Sequence, residues 1–176
     1  MRLKDCHSFV DFRELARRRL PSPIFNYIDG AADDESTYAR NTKSFEDCDL
    51  VPNVLRGTEN IDMSVEILGQ KLDMPIYCSP TALQRVFHHE GENAVAAAAD
   101  KYGTLFGVSS LGTVSLSEVR KQYSGPQCYQ FYFHKDRELN QVMLENAKNA
   151  NVDVMMLTVD TITAVSYTHL TLPTKA

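Results

Sequence analysis

No run of about 18 apolar residues occurs in the 176-residue chain, so no transmembrane helix is encoded. Met1 is followed by Arg2, Lys4 and Asp5 with no apolar stretch behind them, which leaves no secretory signal. Cysteine is sparse. Cys6, Cys48, Cys78 and Cys128 form no C-x-x-C pair, and the spacing of Cys and His does not offer the clustered ligands of a zinc site, which argues against a disulfide scaffold and a structural zinc site. Four reduced thiols are expected, in a cytoplasmic protein or one lying at the inner face of a membrane. Glycine-rich phosphate signatures are missing: there is no G-x-G-x-x-G and no G-x-x-x-x-G-K-[ST]. Positive charge is not in excess, with 18 Lys+Arg against 23 Asp+Glu, which argues against a dedicated nucleic-acid binder. What is present is 43% hydrophobic residues, enough apolar mass for one core.

The first third reads as helical. Phe9, Phe12 and Leu15-Ala16 recur at helical spacing, with Arg13 and Arg17-Arg18-Arg19 outside the stripe. The arginines read as a solvated helix end, where cations suit the macrodipole. Leu20-Pro21-Ser22-Pro23 stops this helix, Ile24–Ile28 resumes a short one, and a third begins at Asp33-Asp34-Glu35 and runs toward Phe45. Ile61–Ile67 alternates, and with Leu68–Leu72 it suggests a small hairpin. From Met74 the pattern changes. Pro75–Cys78 reads as a short buried strand, Glu92–Tyr102 as a helix capped at Gly103, and Thr104–Val108 as a second strand. A capping-box spelling at Ser115 opens a helix to about Gln122, and Gln127–Phe133 is a third strand. Asp136–Ala150 is a helix with Leu139, Val142, Met143 and Ala147 on one face, and Val152–Val159 is a fourth strand.

Short apolar strands alternating with helices predict a parallel sheet. A doubly wound sheet would normally carry a glycine-rich turn after its first strand, where this chain has Ser79-Pro80-Thr81-Ala82. A (β/α)8 barrel instead places chemistry at the carboxyl ends of its strands. Polar residues stand at those ends: Ser79-Pro80-Thr81, Ser109-Ser110, Gln130 with Tyr132, and Thr158 with Asp160. The barrel is the stronger reading, although four βα units make only half of one.

These residues resemble the FMN-dependent α-hydroxy-acid dehydrogenase/oxidase family, which includes L-lactate dehydrogenases, glycolate oxidases and mandelate dehydrogenases. The resemblance rests on Phe25–Glu35 (FNYIDGAADDE), Met74–Gln84 (MPIYCSPTALQ), His89–Glu92, Gly107–Ser110, Tyr129–Arg137 (YQFYFHKDR) and Leu157–Thr161, in order over roughly residues 9–164. It implies an α/β fold: the N-terminal half of a (β/α)8 TIM barrel, preceded by N-terminal helices and truncated after the fourth strand. Residues 1–73 would be the helical segment and hairpin, and residues 74–164 the first four strands with three helices. Val165–Ala176 has no helical period and no likeness to the family, and reads as foreign sequence joined to a truncated gene.

The resemblance also implies roles. The cofactor is FMN, with Pro80, Thr81 and Ala82 packed on the flavin ring and Ser109, Gln130 and Thr158 as its hydrogen-bond partners. Proline stiffens the first of these turns before any ring arrives. Tyr27 and Tyr132 are implied as substrate contacts, a phenol being able to donate to a carboxylate or a hydroxy-acid oxygen. The spacing of two puts Gln130 and Tyr132 on one side of their strand. The implied reaction oxidises a small L-2-hydroxy acid, such as L-lactate, to the 2-keto acid, with hydride to flavin N5. The family places its histidine base, arginine pair and lysine in later strands, so His88, His89, His134 and His169 are not assigned the base, and the fragment is expected to be inactive. A homo-oligomer is expected for the full-length parent. Two other readings stand beside this one: another FMN barrel, such as an isopentenyl-diphosphate isomerase or a glutamate-synthase-like domain, and a non-catalytic half-barrel binding module.

Overall fold

The structure, a computed structural model, describes residues 2–57 and 59–159. Expectations that fall on 160–176, including Asp160 and the foreign tail, lie outside the described residues. The described chain divides into two compact units, residues 2–57 and residues 59–159. No described helix is long and apolar enough to cross a membrane.

In the first unit a 3-10 turn at Leu3–Asp5 precedes α1 (Phe9–Arg19), α2 (Ser22–Asp29) and α3 (Ser36–Glu46). Ser8 caps α1: its hydroxyl accepts from the Asp11 amide while the Asp11 carboxylate accepts from the Ser8 amide. Arg13 of α1 holds Asp29 of α2 through two nitrogens, Nη2 at 2.9 Å from Oδ2. The apolar stripe expected on α1 is buried only at Leu15; Phe9 is 80% exposed and Phe12 half exposed. The unit buries one large side chain on each of α1 and α2, Leu15 and Phe25, and none on α3, too little to enclose the rest of the stripe.

The second unit opens with the hairpin β1 (Val65–Ile67) and β2 (Gln70–Leu72). Leu68 and Gly69 both carry positive φ, +53° and +73°, the requirement of a two-residue type I′ turn. The hairpin was expected with residues 1–73, yet it belongs to this unit. Val65, Ile67 and Leu72 pack with Leu105, Cys128, Val154 and Met156, so its apolar side is committed to the sheet that follows.

After α4 (Gln84–Phe87) and α5 (Glu92–Lys101) come β3 (Phe106–Ser109), α6 (Leu116–Gln122), β4 (Gln127–Tyr132), α7 (Arg137–Asn149) and β5 (Val154–Thr158). The three strands are parallel in the order β3-β4-β5. Cys78 joins the free edge of β3 through one bridge to Phe106, the Cys78 amide donating to Leu105 and the Gly107 amide to Cys78. The order follows the sequence without the reversal that defines a doubly wound sheet.

The expected strand at Pro75–Cys78 is therefore a single bridge pair, and Ile76 is 66% exposed. Pro75 and Pro80 have no N–H to give a ladder, and among the described residues the segment has a strand neighbour on one side only. On α7 the buried positions are Asn140 and Ala147, with Met143 partly buried, while Leu139 and Val142 flank the packed face and Val142 is 51% exposed. Asn140 earns burial by bracketing His134: its Oδ1 accepts from the His134 amide at 2.9 Å and its Nδ2 donates to the His134 carbonyl at 2.8 Å.

The sheet has two unlike faces. Phe106, Val108, Tyr129 and Phe131 face the helices and pack with Ala96, Ala99, Val119, Ala147 and Ala150. The opposite face is apolar near the amino ends of the strands, where the hairpin covers it, and polar at the carboxyl ends. At the amino ends Arg120 of α6 gathers the chain, donating to the carbonyls of Gly125, Ala150 and Asn151 and to Asp153 Oδ2 at 3.0 Å. Among the described residues β5 is an edge strand, and it leaves Met155 and Leu157 exposed on the helix-facing side.

Candidate functional site

Residues aligned across parallel strands share a face, as do residues two apart on one strand. Ser109 aligns with Gln130, and Tyr132 with Thr158. Ser109, Gln130, Tyr132 and Thr158 therefore occupy one face at the carboxyl ends of three successive strands, at the far end from the hairpin.

Three of them are joined directly. The Ser109 hydroxyl donates to Gln130 Oε1 at 3.2 Å, and Gln130 Nε2 donates to Thr158 Oγ1 at 2.7 Å. The Ser110 amide is shared between the backbone carbonyl of Gln130 at 2.9 Å and its Oε1 at 3.3 Å. A backbone N–H can only donate, so it fixes which end of the Gln130 amide faces β3. Ser109 Oγ also accepts from the Leu111 amide at 3.1 Å. Ser109 and Gln130 are buried and Thr158 half-buried. The cluster is neutral and hydrogen-bonded across three strands, and a described residue engages only one of the two Nε2 hydrogens of Gln130.

Pro80–Ala82 lie on the other side of β3 from β4. Gly107 is the reason they can. A Cβ there would stand 2.8 Å from Pro80 Cδ and 2.9 Å from Pro80 N, so the loop rests on bare backbone. Thr81 Oγ1 accepts from Gln84 Nε2 at 2.8 Å, and the Leu83 amide donates to the Leu111 carbonyl at 3.1 Å. The loop after Cys78 and the loop after β3 are thereby tied together.

Tyr132, half-buried, lines a cavity of about 550 Å³ with Leu111, Phe133, His134, Leu157, Thr158 and Val159. A larger cavity, about 760 Å³, lies between the loop after β3 and α7. Val108 and Tyr129 among its lining residues face the helices, so it is a gap in the helical layer and not the polar mouth of the strands. Tyr27 stands on α2 in the first unit and is partly exposed.

The sequence-predicted residues thus fall into sets: Ser109, Gln130 and Thr158 joined by hydrogen bonds, Tyr132 beside Thr158 in one cavity, Pro80–Ala82 seated on β3, and Tyr27 in the first unit. Sequence reasoning gave no role to Gly107 or Gln84, and placed Ser110 only among the polar strand ends. Gly107 interrupts an apolar strand, a signal of close backbone approach. Gln84 follows Thr81 by three residues, a reach that only the turn geometry makes meaningful.

Chemically the cluster can bind and orient. It holds amide and hydroxyl groups that donate and accept, beside a proline-stiffened loop, and carries no group that would gain or lose a proton near neutrality. Such a set suits the polar edge of a flat heterocycle.

The family model described as FMN-dependent dehydrogenase matches residues 16–170. The match runs six residues beyond Ala164, where the resemblance was read to end. Glycolate oxidase from Spinacia oleracea is 37% identical over 151 residues, covering 86% of this chain and 41% of that protein. L-lactate dehydrogenase from Xanthobacter autotrophicus is 38% identical over 153 residues, covering 87% of this chain and 39% of that protein. A crystal structure of mandelate oxidase superposes with a TM-score of 0.83 at 29% identity, over 91% of this chain and 46% of that one. The chain spans about 41% of the length of the curated glycolate oxidases it matches.

Proposed function

Because this chain belongs to the FMN-dependent dehydrogenase family, we propose that it is the flavin-facing part of an enzyme that oxidises an L-2-hydroxy acid, such as L-lactate, to the 2-keto acid. The names of the relatives share one chemistry, a hydroxyl on the carbon next to a carboxylate. The observation that carries the reading is the hydrogen-bonded chain Ser109–Gln130–Thr158 across three consecutive strand ends.

The residues present fit the group. A flavin edge alternates ring nitrogens and carbonyl oxygens with one N–H, and a primary amide flanked by two hydroxyls can answer both kinds of atom. When bound, FMN supplies a two-electron acceptor for the hydrogen on the hydroxyl-bearing carbon. Ser109, Gln130 and Thr158 would hold its polar edge, and the Pro80–Ala82 backbone would support one side of the ring. Tyr132 would donate its phenol to the substrate carboxylate or hydroxyl oxygen from the cavity it shares with Thr158. Tyr27 is assigned the same task on the resemblance of its segment alone. No histidine of the described residues is assigned the base, so the 176 residues alone are expected to hold flavin only weakly and not to turn over substrate.

The test is an FMN titration of the purified chain followed by flavin fluorescence, with a dye-reduction assay on L-lactate. Quenching is expected for the native chain, weakened roughly tenfold in Gln130→Leu. Equal quenching by both proteins, or none at about 1 mM flavin, overturns the flavin assignment. Lactate-dependent dye reduction overturns the expected inactivity.

A further inference from the structure

We propose that Glu92 is a positioning residue: its buried carboxylate locks the loop after β3 to the loop carrying Pro80–Ala82, so that the two form one rigid rim. This rests on the flavin reading above for the rim's purpose, though not for the lock itself.

Glu92 is the first residue of α5 and is fully buried. Acidic residues are almost never fully buried unless paired. Among the described residues no cation pairs with it. Both oxygens go instead to one residue of the loop after β3: Oε1 accepts from the Thr113 amide at 2.7 Å and Oε2 from the Thr113 hydroxyl at 2.6 Å. Thr113 Oγ1 in turn accepts from the Arg85 amide, in α4, at 3.1 Å. Loop, α4 and α5 therefore meet at Thr113.

The surrounding backbone leaves no slack. A Cβ on Gly112 would stand 3.0 Å from the Ser109 carbonyl, and one on Gly91 would stand 2.6 Å from Arg85 Cγ. The same loop is bound at Leu111 to Leu83 and at Ser110 to Gln130. Moving Thr113 moves Leu111 and Ser110, hence the Pro80–Ala82 loop on one side and the Gln130 amide on the other. A buried acidic side chain is a poor device for stability alone, since an apolar side chain of like volume commonly does as well. Two fixed acceptor atoms aimed at one amide and one hydroxyl set a loop's register, which an apolar side chain cannot do.

The experiment measures amide hydrogen exchange at Leu83, Ser110 and Leu111 in the full 176-residue chain, with FMN affinity and melting temperature, for Glu92→Ala, Glu92→Gln, Thr113→Val and the core control Val119→Ala. Glu92→Ala is expected to speed exchange at those three amides, and to weaken FMN binding, by roughly tenfold. Val119→Ala lowers the melting temperature without either effect. Glu92→Gln keeps an acceptor for the Thr113 amide and recovers most of both losses. Thr113→Val falls between, and adds nothing to Glu92→Ala when combined with it. Exchange at Leu83 and Ser110 no faster than in the control, or Glu92→Gln as disruptive as Glu92→Ala, overturns the proposal. If Glu92→Ala does not fold, Thr113→Val decides by the same comparison with the control. A chain that takes no FMN, or whose affinity ignores a loosened rim, sinks the flavin reading and leaves the lock standing on the exchange data.

Discussion

At the scale of single residues, Gly107 and Asp100 make opposite kinds of prediction. Gly107 has an ordinary strand conformation, so its lack of a side chain serves space: a methyl would meet Pro80 Cδ and N and the Cys78 carbonyl within 3.1 Å. Gly107→Ala is expected to cost about 1–3 kcal/mol, read from the midpoint of urea unfolding, and to displace the Pro80 loop. Asp100 acts through charge. The Ser124 hydroxyl and amide, at 2.8 and 3.1 Å, hold its carboxyl below its ordinary value. A group with a depressed folded pKa stabilises above its unfolded pKa and loses that contribution as pH falls through its folded one. The melting temperature of Asp100→Asn should therefore decline less steeply than that of the parent below about pH 4. If the two acid limbs run parallel, the Ser124 contacts contribute nothing.

At the scale of elements, edges and faces decide what the sequence could tell. The period-two pattern put Gln130 and Tyr132 on one side of β4, and the register adds Ser109 and Thr158 to that side. Ser115 was legible as a cap and does accept from the Glu118 amide at 3.2 Å. Pro75–Cys78 was not legible, because an apolar run records propensity and not the number of neighbouring strands. Nor was Asn140, a polar residue buried by its hold on His134, while Leu139 and Val142 point past the sheet. The partnership of Glu92 with Thr113, 21 residues apart, has no local signature at all. β5 carries the prediction at this scale. Its exposed Met155 and Leu157 sit on an edge strand, the geometry that invites association between chains. Replacing both by lysine should reduce concentration-dependent light scattering with little change in melting temperature. Unchanged scattering would place the sticky surface elsewhere.

At the scale of the whole chain, the alternation of helix and strand was readable and the ordering of the sheet follows it, strand beside strand. The assignment of the hairpin was not readable, because its partners Leu105, Cys128, Val154 and Met156 come later in the chain. Leu72 is its most deeply buried residue. Leu72→Ala is expected to destabilise by about 2–5 kcal/mol, mainly by faster unfolding, with the folding limb of the chevron little changed. A slowed folding limb would mean that the hairpin docks before the strands have formed.

The other closely packed element pairs of this unit are neighbours in the chain or one element apart, whereas the β1–β2 ribbon reaches from residue 72 to residue 156. It is the clasp on an otherwise open row. Beneath it lies Cys128, whose thiol burial pushes upward in pKa. A maleimide or disulfide reagent meets that sulfur only when the clasp lifts, so the rate at which Cys128 is labelled reports the lifting of an eight-residue ribbon and not the unravelling of the sheet.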